Sequence, residues 1–318
     1  MELIFNLLVQ GLQMLLVVAI APLLVGVIHK IRARLLRKRG ASVVQPYRDL
    51  LRLMRKEVVL AENASWLFRA IPYMVFAATW VAAALIPTFA TGLQFSWTAD
   101  LIAIVALLGT ARFFMALAGM DVGTPFGGIG SSREMMIAAL AEPAMLLTVF
   151  SLALLAGSTQ LSTVTEHLAG PGVGLRVSLG MALVALVIVA LAENARIPVD
   201  NPSTHLELTM VHEAMVLEYS GRHLAMIELA SALKLVLYLS LIASLFVPYG
   251  VATPGQNISA HVLGLVYYFV KMLIGAAALA GFEVSIAKMR VFRIPDLLGA
   301  ALMLSLLGTL LLFVSRSL

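Results

Sequence analysis

The sequence predicts an all-α integral membrane protein, and three observations carry that prediction. Of its residues, 61% are hydrophobic and 12% charged, a balance that a soluble domain with a charged surface could not keep without aggregating. Apolar runs long enough to cross a bilayer recur from Leu3 to Leu318 and leave no polar stretch large enough to fold a separate core, so the 318 residues read as a single polytopic domain, 1–318. The basic residues are concentrated: ten of the 22 Lys and Arg fall between Lys30 and Lys56. That clustering makes the net charge of +5 a topology signal and excludes a nucleic-acid footprint.

A hydrocarbon core of roughly 30 Å is crossed by about 20 apolar helical residues. By that ruler eight transmembrane helices follow in order: Leu3–Ile28, Trp66–Phe89, Thr98–Ala118, Met135–Ala156, Val173–Leu191, Leu224–Val247, Ala260–Phe282 and Ile294–Val314. The first has no basic leading region and no small-residue cleavage pattern, so it reads as a retained helix. In the connection after it, Pro46 opens an amphipathic helix with Leu50, Leu51, Met54 and Val58 on one face and Arg48, Arg52, Arg55 and Lys56 on another, the pattern of an interfacial helix. A cytoplasmic placement of this connection puts Arg112, Arg133, Arg196, Arg222, Lys288, Arg290 and Arg293 on the same side. Only Arg176 and Arg316 remain outside, so both termini are expected to face outward. The outer connections are short and nearly chargeless, which directs partner contacts to the cytoplasmic side.

No cysteine is present, so disulfides, thiolate zinc sites and iron–sulfur clusters are excluded for this chain and any redox centre belongs to a partner. The glycine-rich stretch Gly123–Gly130 follows a membrane helix and lacks a Gly-Lys-Ser/Thr ending; it reads as a loop that allows close approach of a partner subunit, not as a phosphate cradle. His205 and His212 share a helix face and are expected to hydrogen-bond at a polar interface in preference to binding a metal. Hydrolytic motifs of the Ser/His/Asp or His-Glu-x-x-His kind are missing from the sequence.

The ionisable residues inside apolar spans are the chemical candidates. Glu142 lies about eight residues into the fourth span, where an unpaired charge costs roughly 2.5–3.5 kcal/mol, so it must be paired, hydrated or protonated. Glu228, Lys234 and Lys271 are further groups of this kind, with proton exchange and a static Glu–Lys pair both open. Glu193 and Glu283 stand at inner helix ends, as solvated charges or as pathway groups. Thr204-x-x-Glu207 after Pro202 forms a capping box, predicting a helix from there toward Gly221, so Glu207 is either a cap or a functional carboxylate.

Residues 192–221 gather Glu193, Asp200, Glu207, Glu213 and Glu218 at the inner mouth of the bundle. The order Glu193-Asn-x-Arg196-x-Pro198-x-Asp200, then Glu207-Leu208, then Glu218-Tyr-Ser-Gly221, resembles the membrane subunit shared by respiratory complex I, where it is the quinone-chamber subunit, and the energy-converting group 4 hydrogenases. Within that superfamily, Gln45-Pro-Tyr-Arg48-Asp49-Leu50 and the run from His205 to Gly221 resemble the formate hydrogenlyase and hydrogenase-4 branch. Complex I subunits usually carry more acids where this chain has Ser203 and His205, and have a shorter interval before the Glu-Tyr-Ser-Gly element; both departures count against quinone as a cofactor.

The resemblance implies a non-catalytic membrane-anchor and coupling subunit of a bacterial inner-membrane complex. Hydrogenase large and small subunits and iron–sulfur proteins would dock on its cytoplasmic side, and antiporter-like subunits and lipids would surround it in the membrane. The [NiFe] centre and the iron–sulfur clusters would sit in those partners, with no cofactor or metal in this chain. The resemblance, with the positions of the acids, nominates Glu142, Glu193, Glu207, Glu213, Glu218, Glu228, Lys234, Lys271 and Glu283 for a proton pathway, and Arg48, Asp49, Arg52, Arg196, Asp200 and Arg222 for docking. In complex I the acid corresponding to Glu142 belongs to a chain of acids beneath the redox chamber. Two other readings stay open: a quinone-chamber subunit with a tunnel entrance near Trp66–Tyr73, and an independent secondary transporter, against which the missing internal repeat counts.

Overall fold

The computed structural model describes residues 2–92, 95–170, 176–196, 210–253, 255–286 and 293–317. Among them the regular elements are helical: α1 (Glu2–Leu35), α2 (Gln45–Arg55), α3 (Trp66–Leu85), α4 (Leu101–Asp121), α5 (Pro125–Ala156), α6 (Leu161–Ala169), α7 (Val177–Glu193), α8 (His212–Val216), α9 (Gly221–Phe246), α10 (Ile258–Ser285) and α11 (Ile294–Ser317). Seven of them are long and apolar enough to cross a membrane. The helix at the place of the expected fifth span, α7, has 17 residues and falls short of that length. Residues 173–175, which would extend it, lie outside the described residues.

Local chemistry sets the boundaries. The helix α3 stops at Leu85, before the expected Phe89, because Ile86 precedes Pro87 and is held extended at ψ 125°. The side chain of Asp100 accepts a hydrogen bond from Ile102 N at 2.7 Å and so opens α4 three residues later than hydropathy alone suggests. Pro125 occupies the first turn of α5 behind a Thr124 cap, and the helix therefore starts ten residues ahead of the expected Met135.

That early start corrects the reading of Gly123–Gly130 as a partner-facing loop. A Cβ on Gly127 would fall 2.0 Å from the Gly119 carbonyl oxygen, and one on Gly130 would fall 2.9 Å from both Val211 O and the Ala214 Cβ. These glycines let α5 press against α4 and α8 within the chain. The continuous helix expected from Thr204 to Gly221 also differs. Residues 197–209, Glu207 and its capping box included, are outside the described residues, and the remainder is the five-residue α8 followed by a break before Gly221, whose φ of 54° begins α9. A short helix between α5 and α7, α6, was not foreseen.

Two helices organise the bundle. The helix α9 packs against α1, α2, α3, α6, α7 and α10, while α5 packs against α4, α6, α7, α8 and α11. The amphipathic helix α2 is present, lies on α1 and α9, and buries none of its residues; Leu51 and Met54 remain exposed. Its Tyr47 hydroxyl donates to the Ala19 carbonyl of α1, pinning it to the spanning helix.

Candidate functional site

Ionisable side chains from three other helices gather around Arg112, near the middle of α4. Its Nε lies 3.3 Å from Glu134 Oε1, its Nη1 lies 3.4 Å from Glu142 Oε1, and its Nη2 contacts Glu193 Oε1. Glu134 and Glu142 project from α5 and Glu193 from the last turn of α7. The second oxygen of Glu193 lies 3.8 Å from Lys234 Nζ on α9. Arg112 and Glu193 are each 5% exposed at the side chain, whereas Glu142 is 42% exposed, so the cluster runs from a dry centre to an accessible edge. With every group ionised, two cations face three carboxylates. The cluster thus carries one carboxylate more than its cations, with Glu142 at its accessible edge.

A second cluster forms where α1 meets the C-terminal end of α10. The buried Glu283 carboxylate is 3.2 Å from Arg196 Nη1 and 3.5 Å from Arg32 Nη1. Burial pulls the Arg196 guanidinium below its ordinary range, and Glu283 opposes that pull by charge and hydrogen bonding. The clusters are joined by the turn at the end of α7: Glu193 enters one, Arg196 enters the other, and Ala195 between them adopts φ 47°, a left-handed conformation unusual for a residue with a Cβ.

Neighbouring cavities that share lining residues lie beside the clusters. One of about 430 Å³ is walled by Gly26 and His29 of α1, Asp49 and Leu50 of α2, Arg196, Glu213 and Glu228. Glu213, Glu228 and Ser231 also line a neighbouring cavity of about 460 Å³. His212, Ile227 and Ser231 separate that one from a small chamber of about 30 Å³ that touches Arg112, Glu134 and Lys234, room for roughly two waters. His212 is held down to about 4, by burial first and then by Lys234, with Glu134 opposing and Arg112 reinforcing. At neutral pH its ring is therefore uncharged, one nitrogen accepting and the other donating. Desolvation at the cavity wall pushes the Glu213 carboxyl up from its ordinary value.

The expected pathway residues thus divide. Glu142 and Glu193 meet Arg112, Lys234 approaches Glu193, and Glu213 and Glu228 line the two neighbouring cavities. Glu283 lies in the second cluster. Glu218 is exposed beside α8. Lys271 donates to the Val247 carbonyl at 2.6 Å, closing the C-terminal end of α9, and meets no carboxylate within salt-bridge distance among the described residues. Of the expected docking residues, Arg52 pairs with Asp49 at 3.1 Å, Arg48 and Arg222 are exposed, and Arg196 turns inward to Glu283. Asp200 and Glu207 lie outside the described residues. Sequence reasoning missed Glu134 and the central part of Arg112, which it used only for topology. The available signal was a lone cation within an apolar span, which needs an acid from another helix.

Comparison with known proteins adds three findings. The sequence profile described as NADH dehydrogenase matches residues 8–314. The chain is 33% identical to formate hydrogenlyase subunit 4 of Escherichia coli K12 over 88% of its own length and 90% of that protein. It is 34% identical to hydrogenase-4 component C of the same strain, over 82% of each. More distantly, it is 26% identical to an NADH-quinone oxidoreductase subunit of Bacteroides thetaiotaomicron over 80% of this chain and 73% of that one. A chain of the membrane-bound sulfane sulfur reductase, an archaeal respiratory membrane complex, has the same fold, with a TM-score of 0.80 at 18% identity over 96% of this chain and 99% of that chain.

Proposed function

The chain belongs to the NADH dehydrogenase family, and from that membership and the site we infer that it is the membrane-anchor and coupling subunit of a group 4 [NiFe]-hydrogenase complex of the formate hydrogenlyase and hydrogenase-4 kind. In this reading α7 makes the eighth span, both termini face away from the cytoplasm, and α2 lies at the membrane surface. Hydrogenase large and small subunits and iron–sulfur proteins bind the basic cytoplasmic face, and antiporter-like subunits pack alongside in the membrane. The [NiFe] and iron–sulfur centres reside in those partners.

One observation supports coupling over mere anchoring: the buried Arg112 cluster carries one carboxylate more than its cations and abuts cavities walled by Glu213, Glu228 and His212. Redox turnover in the docked subunits shifts charge beside the 430 Å³ cavity, where Arg196 and Asp49 stand. The Glu193–Arg196 turn transmits that bias to Arg112, and the odd proton moves between Glu142, Glu193 and the cavity acids.

The test is purification of the tagged chain from membranes in mild detergent. Hydrogenase and iron–sulfur subunits with hydrogen-evolving activity should accompany it. Recovery of the chain without them, and with ion transport by the chain alone in liposomes, would replace this reading with that of an independent transporter. The 430 Å³ cavity supports a second reading, a quinone chamber, since its volume suits a small molecule. Stoichiometric quinone in the purified complex would favour it.

A further inference from the structure

The basic end of α1 curls back on itself. Leu36 N donates to Arg32 O at 3.0 Å, Arg37 N to Arg34 O at 3.0 Å and Lys38 N to Ala33 O at 2.7 Å. Arg37 closes this turn at φ 56°, a left-handed conformation that glycine or asparagine normally supplies at a helix end. Lys30 Nζ then donates to the Arg39 carbonyl at 2.9 Å and ties the returning chain to the helix. At Gly40, φ 64°, a Cβ would fall 2.5 Å from the Ala33 Cβ, so the return passes too close for any side chain.

The product is a concave surface of about 560 Å³ lined by Lys30, Arg34, Arg37, Lys38, Arg39 and Gly40. Five cations share one hollow, and among the described residues no acid lines it. A topology signal or a solvated face requires cations but requires neither a hollow nor a left-handed arginine. Beside the hollow, at the end of a membrane-length helix, Leu35 and Leu36 are 51% and 47% exposed. Exposed leucines next to clustered guanidinium and ammonium groups match a molecule with an anionic head and an apolar body.

We propose that this hollow binds the phosphate-bearing headgroup of an anionic phospholipid, with Leu35 and Leu36 lying against the first methylenes of its acyl chains. Arginines grip phosphate oxygens in pairs through their planar forks, and the lysines add point charge. Basic pockets at the ends of membrane helices recognise lipid headgroups in this way. Free inorganic phosphate shares the headgroup chemistry but has no use for the leucines, and an acidic protein face has no use for the closed curl. The inference is independent of which redox complex the chain serves.

The experiment is lipid exchange on the purified complex. Delipidated complex is reconstituted into phosphatidylcholine nanodiscs containing a graded fraction of phosphatidylglycerol, and retained lipid is counted by native mass spectrometry. Wild type should retain phosphatidylglycerol in preference to phosphatidylcholine. The triple variant Arg37→Gly/Lys38→Gln/Arg39→Gln keeps the turn and removes three cations, and should weaken retention by about 100-fold at low salt, about fivefold per cation. If it does not assemble, Lys38→Gln alone should show the fivefold loss. Leu35→Ser/Leu36→Ser should weaken lipid retention while leaving inorganic phosphate binding unchanged. Unaltered phosphatidylglycerol retention in the charge variants overturns the proposal. So does phosphate binding as tight as that of the lipid, which would mark a free-anion site, or loss of soluble subunits with lipid retained, which would mark a protein-docking surface.

Discussion

Replacing Arg112 with glutamine tests whether the buried cluster works as one charge-balanced unit. The substitution removes a guanidinium that reaches Glu134 at 3.3 Å, Glu142 at 3.4 Å and Glu193, and leaves Lys234 as the cation of the cluster. The excess of negative charge rises from one to two. Breaking a buried pair by deleting one partner costs about 3–5 kcal/mol, and the glutamine amide recovers roughly 1 kcal/mol through hydrogen bonds to the abandoned oxygens. A net loss of about 2–4 kcal/mol is a large part of the 5–15 kcal/mol that typically holds a folded chain together. The assay is the steady-state level in membranes together with thermal unfolding of the solubilised complex at pH 8 and pH 5.5. Arg112→Gln should accumulate poorly and unfold several degrees early at pH 8. Its deficit should narrow in acid, where a protonated carboxyl needs no cation. Adding Glu193→Gln restores the original excess of one charge and should recover most of the loss. A single variant as stable as wild type, or a double variant worse than the sum of the two singles, would refute the balanced-cluster argument.

Further outcomes are expected. Glu142→Gln keeps shape and hydrogen bonding but cannot release a proton, so the assembled complex should retain electron transfer to artificial acceptors and lose much of its coupled proton movement, measured in proteoliposomes. Gly127→Ala drives a methyl into the Gly119 carbonyl and should cost about 1–3 kcal/mol in unfolding experiments, while Gly128→Ala, whose added methyl meets open space on the same helix, should be neutral or stabilising by up to about 1 kcal/mol. Burial lowers His212 from 6.5 to about 4, so the unfolded chain takes up its proton first; the stability this residue contributes is complete above pH 6.5 and lost as pH falls toward 4, and His212→Gln should flatten that part of the stability profile. Reporter fusions at Ser42 and Ser317 should report opposite sides of the membrane; the same side for both would remove the eighth span.

Much of the scaffold was legible because membrane helices announce themselves through unbroken Leu, Ile, Val and Ala. Their ends were less so. A cap such as Asp100, or the proline that starts α5 at Pro125, overrides a hydropathy boundary with a single hydrogen bond or a fixed φ. The acids Glu142, Glu193 and Glu283 stood out as charges in or beside apolar runs, yet nothing local told which cation each would meet, since Arg112, Arg196 and Arg32 come from other parts of the chain. Arg112 itself was hidden by its usefulness. Counted for the positive-inside rule, Arg112 agreed with the topology, and that agreement obscured a position well inside an apolar span. The glycines of Gly123–Gly130 signalled close approach correctly but not whose backbone was approached: Gly119 and Val211 of the same chain.

The left-handed turn at Ala195 makes spacing itself a functional quantity. Three positions separate Glu193 from Arg196, and each end is anchored by partners on different helices, Arg112 and Lys234 on one side, Glu283 on the other. A side-chain exchange there alters one anchor, whereas inserting or deleting a single residue rotates one anchor out of reach whatever its identity. The segment thus acts as a gauge block: its length, more than its composition, decides whether both anchors can be met at once.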